Sequence, residues 1–466
     1  MKNIQIYKFI LIPLALTTLQ SCFVAKDYAQ PEVVKEEFYR TDNLPKDSLS
    51  MATVSWRELF TDPLLTSYIV EGLQSNIDIR IALQQITAAE AYVKQGKAGY
   101  FPSLSVGGAV THQILSKNSQ FGSFFDGSIT QYETTGNLSW EADIWGKIRS
   151  NDRAFQASYL QTAAAHKAVK TELIAAIASS YYRLLALDEQ RRITEETIAT
   201  RKSSLETTIA LKEAGSLTEV GVKQTEAQLY RAQAVLIDLK NEIRLLENAF
   251  SILLGYGPRE IERTNLNEQI ISQDLDAGLP SQLLRNRPDV IAAEYNLINA
   301  FELTNVARSD FYPSLRLTAA GGFQSLDIAE LFNVNSLFAN LVGSIAQPLI
   351  NGRQIRTAFE VSKAQQEIAL LNFERSLLNA SREVSDAMYN YETSVEKIEI
   401  KTKEFDAYEL ATSYSEELLE NGMANYLEVL TARENTLNSQ LELVNARLRK
   451  LNSAIELYQA LGGGWQ

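Results

Sequence analysis

The chain has one cysteine, and the residues around it give that cysteine a specific chemistry. Lys2 and Lys8 precede an apolar run from Phe9 to Leu16, and Leu19-Gln20-Ser21-Cys22 follows. This order is that of a secretory signal. Its end resembles a bacterial lipobox, with Gln20 larger than the small residue usual at that position. An exported chain with a single cysteine cannot close an internal disulfide, so Cys22 is expected to carry covalent lipid, diacylglycerol and an N-acyl chain. One acyl chain holds a membrane weakly and two or three hold it firmly, so the lipid would tether a folded body.

No other residue set suggests catalysis. His112 falls in a strand-like stretch and His166 in a long helical one, neither in a metal-ligand spacing. No glycine-rich phosphate loop follows a strand, and three internal methionines do not make a soft-metal path. The 57 acidic residues lie mainly on helical stretches, where they read as solvated faces. The net charge of −13 becomes −15 if Lys2 and Lys8 leave with the signal peptide. Such a balance argues against a nucleic-acid partner and suits cationic or neutral cargo. Mean hydropathy is −0.15, and no stretch after residue 22 approaches the ~20 apolar residues of a spanning helix. The sequence therefore describes a non-enzyme without a metal or soluble cofactor.

The elements that would position a tethered body are written twice. Phe101-Pro102-Ser103-Leu104 returns as Tyr312-Pro313-Ser314-Leu315, an offset of 211 (313 − 102), and Gly215 returns as Gly422, an offset of 207 (422 − 215). Asp78 pairs with Asp289, Ala82 with Ala293, Gly146 with Gly352, and Leu254-Gly255 with Leu461-Gly462. A duplication this long means two similar halves. The layout reads as a signal peptide (1–21), a lipidated arm (22–60), a first repeat (61–257), a connecting segment (258–287) and a second repeat (288–466).

Each repeat follows one plan. Asp62-Pro63 reads as an N-cap with proline at the first helical position, opening a helix over 64–98; its counterpart spans about 288–310. Proline at Pro102 or Pro313 ends the helix and begins an alternating stretch. The first hairpin covers 103–140 and the second 314–347. Their four strands, roughly 9–11 residues each, have the length of tilted membrane strands. A proline-free helix of about 67 residues then runs roughly 100 Å at ~1.5 Å per residue, to a C-cap glycine at Gly215 or Gly422. A shorter helix returns. In the first, Val222, Leu229, Leu236, Ile243 and Phe250 fall seven apart, the spacing of a coiled coil. The second has Leu430, Leu437, Val444, Leu451 and Tyr458. One return helix plus one entering helix matches one long helix, so the short helices should stack end to end. Four strands cannot close a barrel in lipid, and several copies must contribute. A lipid-anchored coiled-coil scaffold without a pore is the alternative reading.

The whole set resembles a known family. The matching stretches are Trp56-Arg57-Glu58-Leu59-Phe60-Thr61-Asp62-Pro63-Leu64, Phe101-Pro102-Ser103-Leu104, Trp140-Glu141-Ala142-Asp143-Ile144-Trp145-Gly146-Lys147-Ile148-Arg149, and Arg287-Pro288-Asp289-Val290 with Ala292-Ala293-Glu294. Phe311-Tyr312-Pro313-Ser314-Leu315, Gln347-Pro348-Leu349-Ile350-Asn351-Gly352 and Leu461-Gly462-Gly463-Gly464-Trp465 complete it. In this order they resemble the TolC-type outer-membrane efflux channels, of the lipoprotein branch. The resemblance implies an α+β membrane protein with a long α-helical coiled-coil periplasmic barrel. A transmembrane β-barrel continues it, with four strands per protomer and twelve in a homotrimer. It also implies a periplasmic membrane-fusion adaptor, an inner-membrane RND-type pump, and residence in the outer membrane of a Gram-negative bacterium.

The same resemblance assigns the tips. Gly215, Ser216, Gly422 and Met423 become adaptor-docking residues, and the periplasmic aperture falls at Glu428 and Thr431. Thr431 stands where the family has a second acidic residue, and Ala424 stands where a closing arginine can occur. The first-half counterparts, Gly221 and Gln224, are uncharged, so the second tip would carry the charge. Three Glu428 carboxylates around an axis would favour cations. Phe121, Phe124, Phe125 and Phe332 in the hairpin loops are candidates for closing the outer mouth, and equally for packing or for the bilayer interface.

Overall fold

The computed structural model describes residues 24–31, 54–120, 127–269, 271 and 286–465. Cys22, the signal peptide, and Phe121, Phe124 and Phe125 lie outside the described residues. The chain forms α1 (Trp56–Leu59), α2 (Pro63–Ser75), α3 (Ile77–Ala98), β1 (Ser103–Ile114), β2 (Ser128–Ala142), α4 (Lys147–Glu213) and α5 (Glu219–Leu253). Then come α6 (Pro288–Ser309), β3 (Ser314–Ser325), β4 (Leu337–Ala346), α7 (Gln354–Glu420) and α8 (Tyr426–Ala460). Among the described residues no helix is long and apolar enough to cross a membrane.

The residues form two compact units, and each repeat contributes to both. One gathers the described N-terminal residues through Pro31 with Ile86–Gln161 and Ala293–Asn372. Among the described residues it contains one antiparallel sheet in the order β1-β2-β3-β4, so the strands of the two repeats meet at β2 and β3. β2 is 15 residues long, against the roughly 9–11 expected, because pairing with β1 carries its start back to Ser128, which faces Ile114, and Thr130, which faces His112.

The other unit holds the remaining described residues, including both helix tips. Its core is aromatic and aliphatic: Trp56, Phe60, Tyr181, Tyr182 and Phe250 are fully buried. Edge-on contacts such as Tyr68 against Phe250 (5.3 Å) order it. The seven-residue rows are the buried stripe, with Val222, Leu229, Ile243 and Phe250 inside on α5 and Leu430, Val444, Leu451 and Tyr458 inside on α8. That is what apolar residues at coiled-coil spacing must do to leave water.

One helix expected over 64–98 is two. Asn76 breaks it by capping α3: its Oδ1 accepts from Asp78 N (2.8 Å) and Ile79 N (3.1 Å). Its amide donates to Leu253 O at the end of α5 (2.9 Å). The break is where the return helix meets the entering one. A Cβ on Gly255 would lie 2.4 Å from Ser75 O, and one on Gly462 would lie 2.3 Å from Asn286 O. These are equivalent contacts, since 286 − 75 is 211 and 462 − 255 is 207. Both glycines also have positive φ (+82° and +88°). The end-to-end meeting of short helices thus occurs in both halves, through a backbone approach that only glycine permits.

Candidate functional sites in the sheet and at the tips

The sheet has two faces of opposite character. The register aligns even positions of β1 and β2 with odd positions of β3 and β4. Leu104, Val106, Val110, Ile114, Leu138, Leu317, Leu341 and Ile345 therefore share one face. On the two outermost strands Leu104, Val106, Val110, Ile114, Leu337, Leu341 and Ile345 are 61% to 82% exposed. The opposite face carries Ser105, Gln131, Asn137, Thr318 and Gln324. The separation is a bias rather than a rule, since His112 and Thr130 lie with the apolar set and Ile129 and Val342 with the polar one, but such a bias suits a wall between lipid and water. Among the described residues β1 and β4 each have one unpaired edge, so the sheet is open.

The helix-to-strand junctions are fixed by tryptophans. Trp145 Nε1 donates to Pro313 O (2.7 Å) and its ring lies 5.0 Å from that of Tyr312. Trp140 Nε1 donates to Tyr100 O (3.0 Å), two residues before Pro102. The start of α4 is capped by Asp143, whose carboxylate accepts from Ile148 N (2.8 Å) and Arg149 N (3.0 Å). The stretch Trp140–Arg149 thus turns a strand into a long helix while bracing both proline junctions.

The N-terminal segment is seated on the same unit. Asn305 of α6 donates to Lys26 O (2.9 Å) and accepts from Lys26 N (3.1 Å). Arg308 reaches Val24 O (3.4 Å), and Tyr28 lies edge-on to Phe301 at 5.7 Å. Val24 is two positions from Cys22.

At the tips, Gly215 and Gly422 adopt left-handed backbone, with φ of +74° and +72°. In each the next residue closes a wider loop: Ser216 N donates to Leu211 O (2.9 Å) and Met423 N to Leu418 O (2.8 Å). This is the double hydrogen-bond termination that a left-handed glycine enables. Ser216 and Met423 are exposed, Met423 by 70%. Glu428 and Thr431 are also exposed on α8. Glu428 has a structural task as well: Asn425 Oδ1 accepts from Glu428 N (3.1 Å), and Asn425 Nδ2 donates to Glu428 Oε1 (2.9 Å). The pair satisfies two groups at the α8 N-terminus reciprocally, in the manner of a capping box. Thr431 bonds its own helix at Leu427 O (2.9 Å).

Sequence reasoning missed the residues that hold the two helical hairpins together. Arg201 of α4 is buried, donating to Gln228 O of α5 and to Glu434 of α8, 2.6 Å each. Arg231 of α5 approaches the same carboxylate at 3.0 Å. Arg433 of α8 pairs with Glu416 of α7 (2.7 Å) and donates to the Ser204 hydroxyl of α4. Thr225 of α5 donates to the Tyr426 hydroxyl of α8 (3.2 Å). With Ala424 uncharged, the Arg201–Glu434, Arg231–Glu434, Arg433–Ser204 and Thr225–Tyr426 contacts are polar links between the first and second hairpins among the described residues. Asp62, expected as an N-cap, accepts from Leu64 N (2.8 Å). Its other oxygen gathers Tyr181 (2.9 Å), Gln269 (2.9 Å) and the Thr264 hydroxyl. Among the described residues no cluster of His, Cys, Asp and Glu could hold a metal ion.

The chain matches the family model of outer membrane efflux proteins over residues 68–256 and again over 279–463. The two matches repeat the internal offsets, 211 at their starts (279 − 68) and 207 at their ends (463 − 256). It is 28% identical over 459 residues to the cation efflux system protein CusC of Escherichia coli, spanning 98% of each chain. It is 30% identical over 470 residues to the toluene efflux pump outer membrane protein TtgC of Pseudomonas putida, spanning 98% of this chain and 96% of that one. The fold superposes on the open state of the MtrE outer membrane channel of Neisseria gonorrhoeae with a TM-score of 0.84 at 24% identity, covering 96% and 99% of the chains.

Proposed function

Because the chain belongs to the outer membrane efflux protein family, we propose that it forms the trimeric exit duct of a tripartite efflux pump. The observation that carries this reading is the two-faced sheet with open edges on β1 and β4. Its strands alternate direction, so β4 of one copy can pair antiparallel with β1 of the next, and three copies supply twelve strands. A barrel closed in this way has no edge left in lipid, which is the condition for spanning. A scaffold without a pore would bury the apolar face of such a sheet, whereas on the two outer strands it is exposed.

In this reading the tips at Gly215, Ser216, Gly422 and Met423 dock a periplasmic adaptor, which links the duct to an inner-membrane transporter. Exposed Met423 and Leu427 offer that adaptor an apolar contact. Glu428 and Thr431 ring the periplasmic aperture, and the links through Arg201 and Arg433 hold the hairpins together when it is closed. The duct itself is passive and does no covalent chemistry on its cargo. Cys22 carries the lipid, and the seat of residues 24–31 on α6 would hold the acyl chains beside the unit that bears the sheet.

Native mass measurement of the protein extracted in mild detergent tests the assembly, with a trimer expected and a monomer sinking the proposal. Purified protein in planar bilayers should conduct. For the anchor, Cys22→Ala should abolish acyl labelling in cells, and unchanged labelling would refute it.

A further inference from the structure

We infer that Glu133 is a charge-selecting residue of the channel wall, favouring cationic over anionic solutes within the barrel. The inference rests on the trimeric channel reading and adds a selectivity element remote in sequence from the tips. The four strands contain only three residues that are charged at neutral pH, Glu133, Glu141 and Arg316. The register puts all three on the polar face: Glu133 stands between Ala109 and Gln324, and Glu141 stands directly opposite Arg316. On the apolar face a charge would meet hydrocarbon, so this placement assigns Glu133 to water.

The three charges do not cancel. Arg316 Nη2 lies 3.0 Å from Glu141 Oε2, which forms one neutral pair. Glu133 instead accepts hydrogen bonds from Gln131 Nε2 (3.4 Å) and the Thr135 hydroxyl, both neutral donors on its own strand. Eight residues separate it from Glu141, roughly 27 Å along the strand at ~3.4 Å per residue. That is several times the ~8 Å screening length at physiological salt, so the Arg316 charge does not offset it. The strands of each copy therefore carry one net negative charge on the polar face. Three copies bring a ring of carboxylates, which enriches cations and repels anions in the water beside it.

The test is the reversal potential of channels in planar bilayers under a potassium chloride gradient. Glu133→Gln should shift it toward zero, and Glu133→Lys should carry it further toward anion preference. The shift should be large near 0.01 M salt, where the screening length is about 30 Å, and small near 1 M, where it is about 3 Å. A merely structural role would not follow ionic strength. Where Glu133→Lys does not assemble, Glu133→Cys with a cationic water-soluble thiol reagent reports the same face, since Cys22 is the only native cysteine. A lumen-facing thiol at this position would be modified and the reversal potential would move; an unmodified thiol overturns the inference. Channels of normal conductance with unchanged reversal potential in both charge variants also overturn it, while leaving the channel reading intact. Absence of conductance from the unsubstituted protein overturns the channel reading itself.

Discussion

Arg201 and Glu434 stand 233 positions apart in sequence and 2.6 Å apart in the fold, joining the helical hairpins of the two repeats. Arg201 is only 6% exposed, and its remaining hydrogen bond is to Gln228 O. Removing the carboxylate strands a buried guanidinium, which costs about 3–5 kcal/mol when a buried pair is broken. Glu434→Ala should therefore lower the denaturation midpoint clearly, near the smaller of those values because Glu434 keeps some contact with water. Replacing both partners, Arg201→Met with Glu434→Leu, should recover most of the loss. A single-variant effect under about 1 kcal/mol would mean the pair is solvated.

Gly255 and Gly422 both have positive φ, yet they should respond differently to alanine. Around Gly422 the space is open, so only the left-handed backbone is penalised, by roughly 1–2 kcal/mol. At Gly255 the new Cβ also meets Ser75 O, and overpacking adds about 1–3 kcal/mol. Gly462→Ala, against Asn286 O, should match Gly255→Ala. Thermal unfolding of the three variants decides the matter, and equal losses would show that the helix ends can part without cost.

The pH dependence of stability should carry a signature of Asp62. Burial opposes its ionisation, but hydrogen bonds from Thr264, Gln269, Tyr181 and Leu65 N outweigh it and hold the carboxyl below its usual range. A depressed native pKa means the stabilisation is fully present above the unfolded value, near 3.9. It fades as pH falls through the native value. Asp62→Asn should thus be less stable than the unsubstituted protein at neutral pH, with the gap closing below about pH 4. A gap that stays constant down to acid would mean the carboxylate is not the stabilising form.

Glu428 helps cap α8, and two substitutions separate that task from the aperture role proposed for it. Asn425→Ala removes the cap of α8 and should cost about 1 kcal/mol in unfolding experiments. Glu428→Gln keeps an oxygen for the Asn425 amide while removing the charge. Its stability should change little, and its channels should lose part of their cation preference. Unaltered preference would leave Glu428 a cap and nothing more.

The repeat, the four strands, both long helices and the left-handed tip glycines were all legible, because each is written in local pattern: alternation, heptads, proline and glycine. The break at Asn76 was not, since an N-cap inside an otherwise helical stretch differs from a tolerated polar residue only through what it touches, here Leu253 O. The early start of β2 was hidden because Ser128 and Thr130 become strand by pairing with β1 rather than by their own preference. Arg201, Arg433 and Glu434 had no local signal at all. Glu133 did have one: it sits on the polar side of an alternating stretch, at a position where nothing but charge distinguishes it from its neighbours.

The open edges of β1 and β4 have a genetic consequence. In the proposed trimer each copy is completed by its neighbours, so a copy that still assembles through its helices but has a spoiled edge strand would leave the ring unclosed. A proline placed in β4, produced beside the intact chain, should therefore abolish export in most assemblies and behave as a dominant trait. A copy damaged only in the proposed secretion signal would not reach that ring and should be recessive.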